Sequence, residues 1–320
     1  YDVTGFVRGS KVRINGTGSN SMIDLKAHSD KFLLEDIFEL LHNEMTLPYQ
    51  KEMGKIYVSF NGGYKGTADA DNIDYKKIRV DGKFIPNMES SNPIKLSGGT
   101  FNIKNGFLKT PTLHGLFNGT PITLSFTAKD LDKEIMSVSE ADFNFKNFDI
   151  SSINSIKKQI TLPPEIASQI DNITDINGTI DISGHIKNNN IYANTNLKGT
   201  SFVYKPLGAV VRVLNGQANM RGDVLYLDKV NSRVSGMPVF VDGRIANAMK
   251  NPELNLSISS KLTQAFFDRF YNSKSVYPVK VKGDINLVSR LRGPMNAIAA
   301  KSTLNLGENA SLYYMGATLA

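Results

Sequence analysis

Residues Gly99–Ala128 read GTFNIKNGFLKTPTLHGLFNGTPITLSFTA, and residues Gly216–Ile245 read GQANMRGDVLYLDKVNSRVSGMPVFVDGRI. The two align without a gap at an offset of 117 positions. Gly99 falls on Gly216, Ile103 on Met220, Leu108 on Leu225 and Leu113 on Val230. Gly119 falls on Gly236, Pro121 on Pro238, Ile122 on Val239 and Leu124 on Val241. Identity is low; what recurs is the placement of glycine, proline and apolar side chains. Self-similarity at so long a period marks a repeat architecture, in which each unit completes its core against its neighbours.

Inside each copy the apolar residues alternate: Phe101 and Ile103, then Ile122, Leu124 and Phe126; Ala218 and Met220, then Val239 and Val241. A period of two puts one set of side chains on one face of a strand and the polar set on the other. Asn105-Gly106 and Gly222-Asp223 stand where a tight hairpin turn belongs. Asn118-Gly119 and Ser235-Gly236 are the next turns, with Pro121 and Pro238 opening the strands that follow. Proline there removes no central ladder bond. Each copy is therefore expected to be an antiparallel meander of three strands, apolar on one side.

The alternation extends in both directions. Ile23 and Leu25, Ile56 and Val58, Ile180 and Ile182, Leu254 and Leu256, and Ile285 and Leu287 all follow it. Turns are expected at Gly9, Gly16–Asn20, Asn61-Gly62-Gly63 and Asp81-Gly82, and Asn177-Gly178 opens the third unit. Between strand blocks the period changes to that of a helix, with Leu33, Leu34, Ile37, Phe38, Leu40 and Leu41, and again with Leu262, Phe266, Phe267 and Phe270. Pro163-Pro164-Glu165 starts a further helix. Short helices are expected near 33–42, 164–170 and 263–271. The repeat units then run as 1–53 (the end of a first), 54–170, 171–275 and 276–320 (the start of a fourth). The fold class is mainly β: an elongated, twisted antiparallel sheet curved into a trough, with a short helix per repeat.

The 320 residues contain no Cys and no Trp and carry a net charge of +7. Without Cys there are no disulfides and no thiolate metal sites. Charges of both signs are interspersed, as on a solvated outer face; the other reading of the excess is a mild preference for anionic lipid or nucleic acid. No stretch approaches the roughly 20 apolar residues of a membrane span. Tyr1–Val7 already alternates and Leu312–Gly316 opens another unit, so a piece of a longer protein is expected, with any targeting segment outside it.

Catalytic chemistry finds little footing. His28, His42, His114 and His185 have no metal-ligand spacing to one another. No serine lies in a Gly-x-Ser-x-Gly elbow. Gly62, Gly63, Gly98 and Gly99 lack the Lys-Ser/Thr of a phosphate loop. Glu35 and Asp36 read as solvation or capping of a helix. Phe143, Phe145 and Phe148 around Lys146 fit either a hydrophobic core or a base-stacking platform; the lack of a dense basic stripe favours the core. No enzyme, no cofactor, no metal and no nucleic-acid partner is expected.

Leu96–Gly106 and Leu214–Asp223, the pair Asn118–Ile122 and Ser235–Val239, and the helix after a strand at Asp30–Leu41 together resemble the AsmA-like family of Gram-negative bacteria, most of all its YhdP-type branch. The resemblance covers nearly all of the chain and rests on pattern. It implies repeating β-groove units of a bridge-like lipid transfer protein. In that setting the chain is a periplasmic section of a protein anchored in the inner membrane, carrying phospholipid acyl chains between inner and outer membrane. Membranes, and partner proteins of unknown identity, would meet the ends of the full-length protein.

The lining expected for such a groove is Ile23, Leu25, Ile56, Val58, Phe101, Ile103, Ile122, Leu124, Ile180, Ile182, Met220, Leu225, Val239, Val241, Leu254, Leu256, Ile285 and Leu287. Burying acyl chains against them gains about 0.8 kcal/mol per CH₂. Two other classes fit parts of the pattern: a structural or adhesive β-solenoid of the cell envelope, and a carbohydrate-active enzyme on a β-scaffold.

Overall fold

The computed structural model describes residues 1–19, 21–36, 54–67, 74–88, 94–129, 137–153, 168, 170–188, 190–248 and 250–320. The chain is mainly β. Among the described residues 22 strands form, and 19 of them belong to one antiparallel sheet that does not close on itself. The contacts divide into two compact units, 1–146 with 183–189, and 147–182 with 190–320.

The first unit is a meander in chain order. Its strands are β1 (Asp2–Val7), β2 (Ser10–Gly18), β3 (Met22–Leu33), β4 (Tyr57–Thr67), β5 (Ile78–Phe84), β6 (Ile94–Lys104), β7 (Phe107–Phe117), β8 (Thr120–Lys129) and β9 (Ser137–Asp149). Each pairs antiparallel with the next. In the second unit follow β10 (Ile173–Asn177), β11 (Thr179–Lys187, whose last residues lie in the first unit), β12 (Asn190–Asn196), β13 (Ser201–Tyr204), β14 (Ala209–Arg221), β15 (Val224–Val234), β16 (Met237–Ala246) and β17 (Glu253–Leu262). Helix α1 (Gln264–Phe270) precedes β18 (Lys280–Lys282), β19 (Ile285–Pro294), β20 (Ala299–Leu306), β21 (Ser311–Tyr314) and β22 (Ala317–Leu319). Strands β14, β15, β16, β17, β19 and β20 pair in that order, while β18, β21 and β22 make a small separate sheet.

The internal repeat is present in the fold, down to its register. Strands β7 and β15 begin and end 117 positions apart, and so do β8 and β16. Leu113 pairs with Leu124 as Val230 pairs with Val241, and Leu108 with Ala128 as Leu225 with Ile245. The register shifts at the same place in both, between Thr110 and Leu113 and between Leu227 and Val230. Such a β-bulge adds twist and bends the strand.

Turns follow the residues that tolerate positive φ. Asn118 and Gly119 (φ 47° and 83°) and Ser235 and Gly236 (49° and 93°) form equivalent hairpin turns, as does Asn105-Gly106 (56° and 77°). Two expected turns are strand interior instead: Asn61-Gly62-Gly63 lies within β4 and Asp81-Gly82 within β5. The reason is visible at Gly82, which pairs with Phe101 and leaves room for its ring; a Cβ there would come 2.3 Å from Phe101 Cζ. Similarly, Gly16–Gly18 continues β2 and the chain bends only afterwards.

Of the expected helices, α1 matches 263–271. Residues 34–36 begin the one expected at 33–42, whose remainder lies outside the described residues. The one expected at 164–170 lies mostly outside them as well.

The enclosed side chains gather where strand gives way to helix. Val12, Phe32, Val58 and Phe101 form one cluster and Ile56, Leu96 and Leu113 a second, with Leu34 packed against both. In the second unit Leu262, Ile285 and Ala310 form a third, covered by Phe266 and Phe267 of α1. Helix α1 thus covers the apolar face of the second unit where β17 ends.

Candidate functional site

In an antiparallel sheet, directly paired residues point to the same side. Following pairs across the first unit gives Phe32, Val58, Phe84, Gly99, Leu113, Leu124 and Phe143, one from each of β3 to β9. A neighbouring line on the same face runs Val80, Ile103, Leu108 and Ala128. In the second unit Ala193, Met220, Leu225, Ile245 and Leu254 form one line, and Leu227, Gly243, Leu256 and Leu291 another. Each unit therefore presents one face of apolar side chains in unbroken cross-strand rows.

The sequence-chosen residues fall on these faces. In the first unit Ile23 and Leu25 pair with Gly66 and Tyr64 and lie beside Ala27, while Ile122 pairs with Phe145. Ile56, just before β4, packs with Leu96 and Leu113. Ile180 and Ile182 alternate on β11 with Asp181, whose carboxylate accepts from the Asn147 amide. Val239, Val241 and Leu287 pair with Ser260, Ile258 and Ser260 respectively. None of the eighteen is exposed.

They differ in how far they are covered. Ile56, Val58, Phe101, Ile122, Leu254 and Ile285 are buried, and Val58 and Ile285 are fully enclosed at 0% exposure. Those six have protein atoms around them and little surface left to offer. The remaining twelve are half-buried. The accessible part of the face is thus carried by residues such as Ile103, Leu124, Met220, Leu225, Val241 and Leu256.

Polar groups on this face are turned back onto the sheet. Ser232 Oγ donates to the Val239 carbonyl at 3.0 Å, Ser260 Oγ to the Pro238 carbonyl at 2.7 Å, and Ser289 and Ser302 share a bond of 2.7 Å. A hydroxyl satisfied in this way costs little when water is excluded. Three groups are exceptions among the described residues: Thr110 is fully buried opposite Phe126, and its Oγ1, like the Tyr64 hydroxyl opposite Leu25 and Thr195 Oγ1 opposite Ala218, has no hydrogen-bond partner. Phe143 and Phe145 also belong to this face, with ring centroids 6.1 Å apart, in keeping with the core reading.

The opposite face holds the titratable groups. His28 bonds Asn61 (2.9 Å) and Asp30 (3.1 Å), and His114 bonds Thr123 (3.4 Å). His185 Nδ1 lies 2.7 Å from Asp142 and its Nε2 3.5 Å from Glu140, and Ser125 donates to Asp142 at 3.0 Å. These bonds, from His185 first and Ser125 second, hold the Asp142 carboxyl below the usual carboxylate range. His42 lies outside the described residues. Among the described residues no group of three or more His, Cys, Asp or Glu is placed to hold a metal ion, and no helix is long and apolar enough to cross a membrane.

Sequence reasoning missed the cross-strand rows of charge on this outer face. Their members come from strands far apart in the chain, so no local spacing reveals them. Compared with protein-family models, curated protein sequences and solved structures, the chain finds no match.

Proposed function

We propose that this chain is a periplasmic section of a bridge-like lipid transport protein, and that its apolar sheet face carries phospholipid acyl chains. One observation supports the reading above all: the rows through Ile103 and Leu108 and through Met220, Leu225 and Ile245 are apolar and continuous from strand to strand, and these five residues are only half-covered. A half-covered apolar row of this kind gains free energy from any apolar occupant. Ile, Leu, Val and Met offer an acyl chain contact without directional bonds, so a lipid can be held and still slide. The sheet does not close, and its repeat allows the track to be lengthened unit by unit. Anchoring to the inner membrane, and partners at either end, belong to the full-length protein in this reading.

A second reading, a structural β-scaffold of the cell envelope, draws on the three enclosed clusters, which need no ligand to be stable. Adjacent residues on opposite faces separate the two. A photo-crosslinking amino acid at Leu124 should label phospholipid in cells, and the same group at Thr123, on the other face, should not. Equal labelling at both positions, or none at either, favours the scaffold.

A further inference from the structure

The outer face of the second unit carries a depression of about 530 Å³ with four guanidinium groups around it: Arg221, Arg244, Arg290 and Arg292. Two carboxylates, Asp228 and Asp242, also line it. Register explains how it is assembled. Asn219, Tyr226, Arg244, Asn255 and Arg292 are successive direct partners across β14, β15, β16, β17 and β19. Asp242, Ser257 and Arg290 form the adjoining row. The bulge between Leu227 and Val230 falls beside these rows, and Asp242 accepts from the Lys229 amide within it at 3.2 Å.

The first unit contains the same frame with the charge settled. Thr127 pairs with Glu140 as Arg244 pairs with Asn255, and Ser125 with Asp142 as Asp242 with Ser257. There the basic residues of β11 meet carboxylates: His185 contacts Asp142 and Glu140, and Lys187 lies 3.7 Å from Glu140. In the second unit the corresponding basic residues of β19 are Arg290 and Arg292, and they face Ser257 and Asn255. Both acidic partners are gone while the basic residues remain. Among the described residues no hydrogen bond or ion pair engages the guanidinium of Arg244, Arg290 or Arg292. Arg290 also lies directly opposite Lys301, a pairing of like charges that destabilises a sheet. The fold does not require an arginine at position 244, because the first unit builds the same strands with Thr127 there.

We infer that this depression is a binding site for a phosphate ester that carries hydroxyl groups. Guanidinium forks match phosphate oxygens in geometry and charge. Asp228, Asp242 and Asn255 offer acceptors to hydroxyls, which a bare phosphate would leave unused. The volume falls within the usual range for small-ligand sites, about 300–1,000 Å³. Such chemistry belongs equally to a glycerophospholipid head group and to a soluble sugar or glycerol phosphate. The site lies on the face opposite the proposed lipid track and does not rest on that reading.

The test uses the whole chain, titrated with glycerol phosphate by calorimetry and mixed with vesicles of phosphatidylglycerol in phosphatidylcholine or of phosphatidylcholine alone. Two variants accompany it. Arg290→Gln with Arg292→Gln removes the guanidiniums; Asn255→Glu with Ser257→Asp restores the pairing of the first unit. Either should weaken binding about tenfold or more, and the second should leave the urea midpoint unchanged or higher. Binding of glycerol phosphate without vesicles identifies a soluble ligand, and preferential binding of phosphatidylglycerol vesicles identifies a head group; both support the site. Wild-type protein that binds neither, or full binding in both variants, overturns it. Leu225→Arg should leave this binding intact, so the two proposals fail separately.

Discussion

Gly99 and Gly216, 117 residues apart, occupy one and the same structural position: each lies against the bulged partner strand, Gly99 opposite Leu113 and Gly216 beside Val230. A Cβ on Gly99 would come 2.6 Å from the Thr112 carbonyl oxygen, and one on Gly216 2.6 Å from Val230 Cα. Both also adopt a φ that side chains resist, 155° and 140°. Gly99→Ala and Gly216→Ala should each lose about 1–3 kcal/mol of stability, read as a lower urea midpoint. Gly119→Ala, in an open turn with nothing within 4 Å, tests the φ penalty without the clash and should lose less.

Thr110 is buried without a hydrogen-bond partner among apolar neighbours. Valine has nearly the same shape and no hydroxyl to desolvate. Thr110→Val should therefore stabilise the chain, by about 1 kcal/mol. A lower midpoint than wild type would show that the hydroxyl is satisfied in solution.

The bonds from His185 and Ser125 to Asp142 predict a pH effect of definite sign. Because the folded carboxyl titrates below its unfolded value, its stabilisation is fully present above the unfolded value, about 3.9. That stabilisation is lost as pH falls through the lower folded value. Asp142 is largely exposed, so the effect is modest. Wild type should exceed Asp142→Asn in urea midpoint at neutral pH, and the difference should shrink in acid. A difference independent of pH would contradict the assignment.

Much of the fold was legible because the repeat and the alternation are local patterns. Asn118-Gly119 and Ser235-Gly236 announce their turns, and Phe266 and Phe267 announce a helix that covers Ile285. What was not legible depends on partners distant in sequence. Gly82 reads as a turn until Phe101, from the next strand, is placed over it. Val58 and Leu225 look alike as alternating apolar residues, yet one is enclosed and the other half-covered, because Val58 packs into a cluster with Val12, Phe32 and Phe101 while none of the three clusters among the described residues contains Leu225. The arginine site draws on five strands between residues 219 and 292, and only register brings them together.

That contrast between enclosed and half-covered positions carries a further expectation. A charge at Ile285 has no route to water and should unfold the protein, since an unpaired buried charge costs several kcal/mol. Leu225→Arg, on the half-covered row, should fold, because its long side chain can bring the guanidinium to solvent. Circular dichroism and thermal melts distinguish the two.

The most direct measurement of the lipid-track proposal is mass spectrometry of lipid co-purified with the chain, wild type against Leu225→Arg with Val241→Arg. The account predicts phospholipid bound to wild type and largely absent from the folded double variant, whose two charges interrupt the rows through Met220 and Val230. Wild type purified free of phospholipid, or a folded double variant retaining as much as wild type, would contradict it.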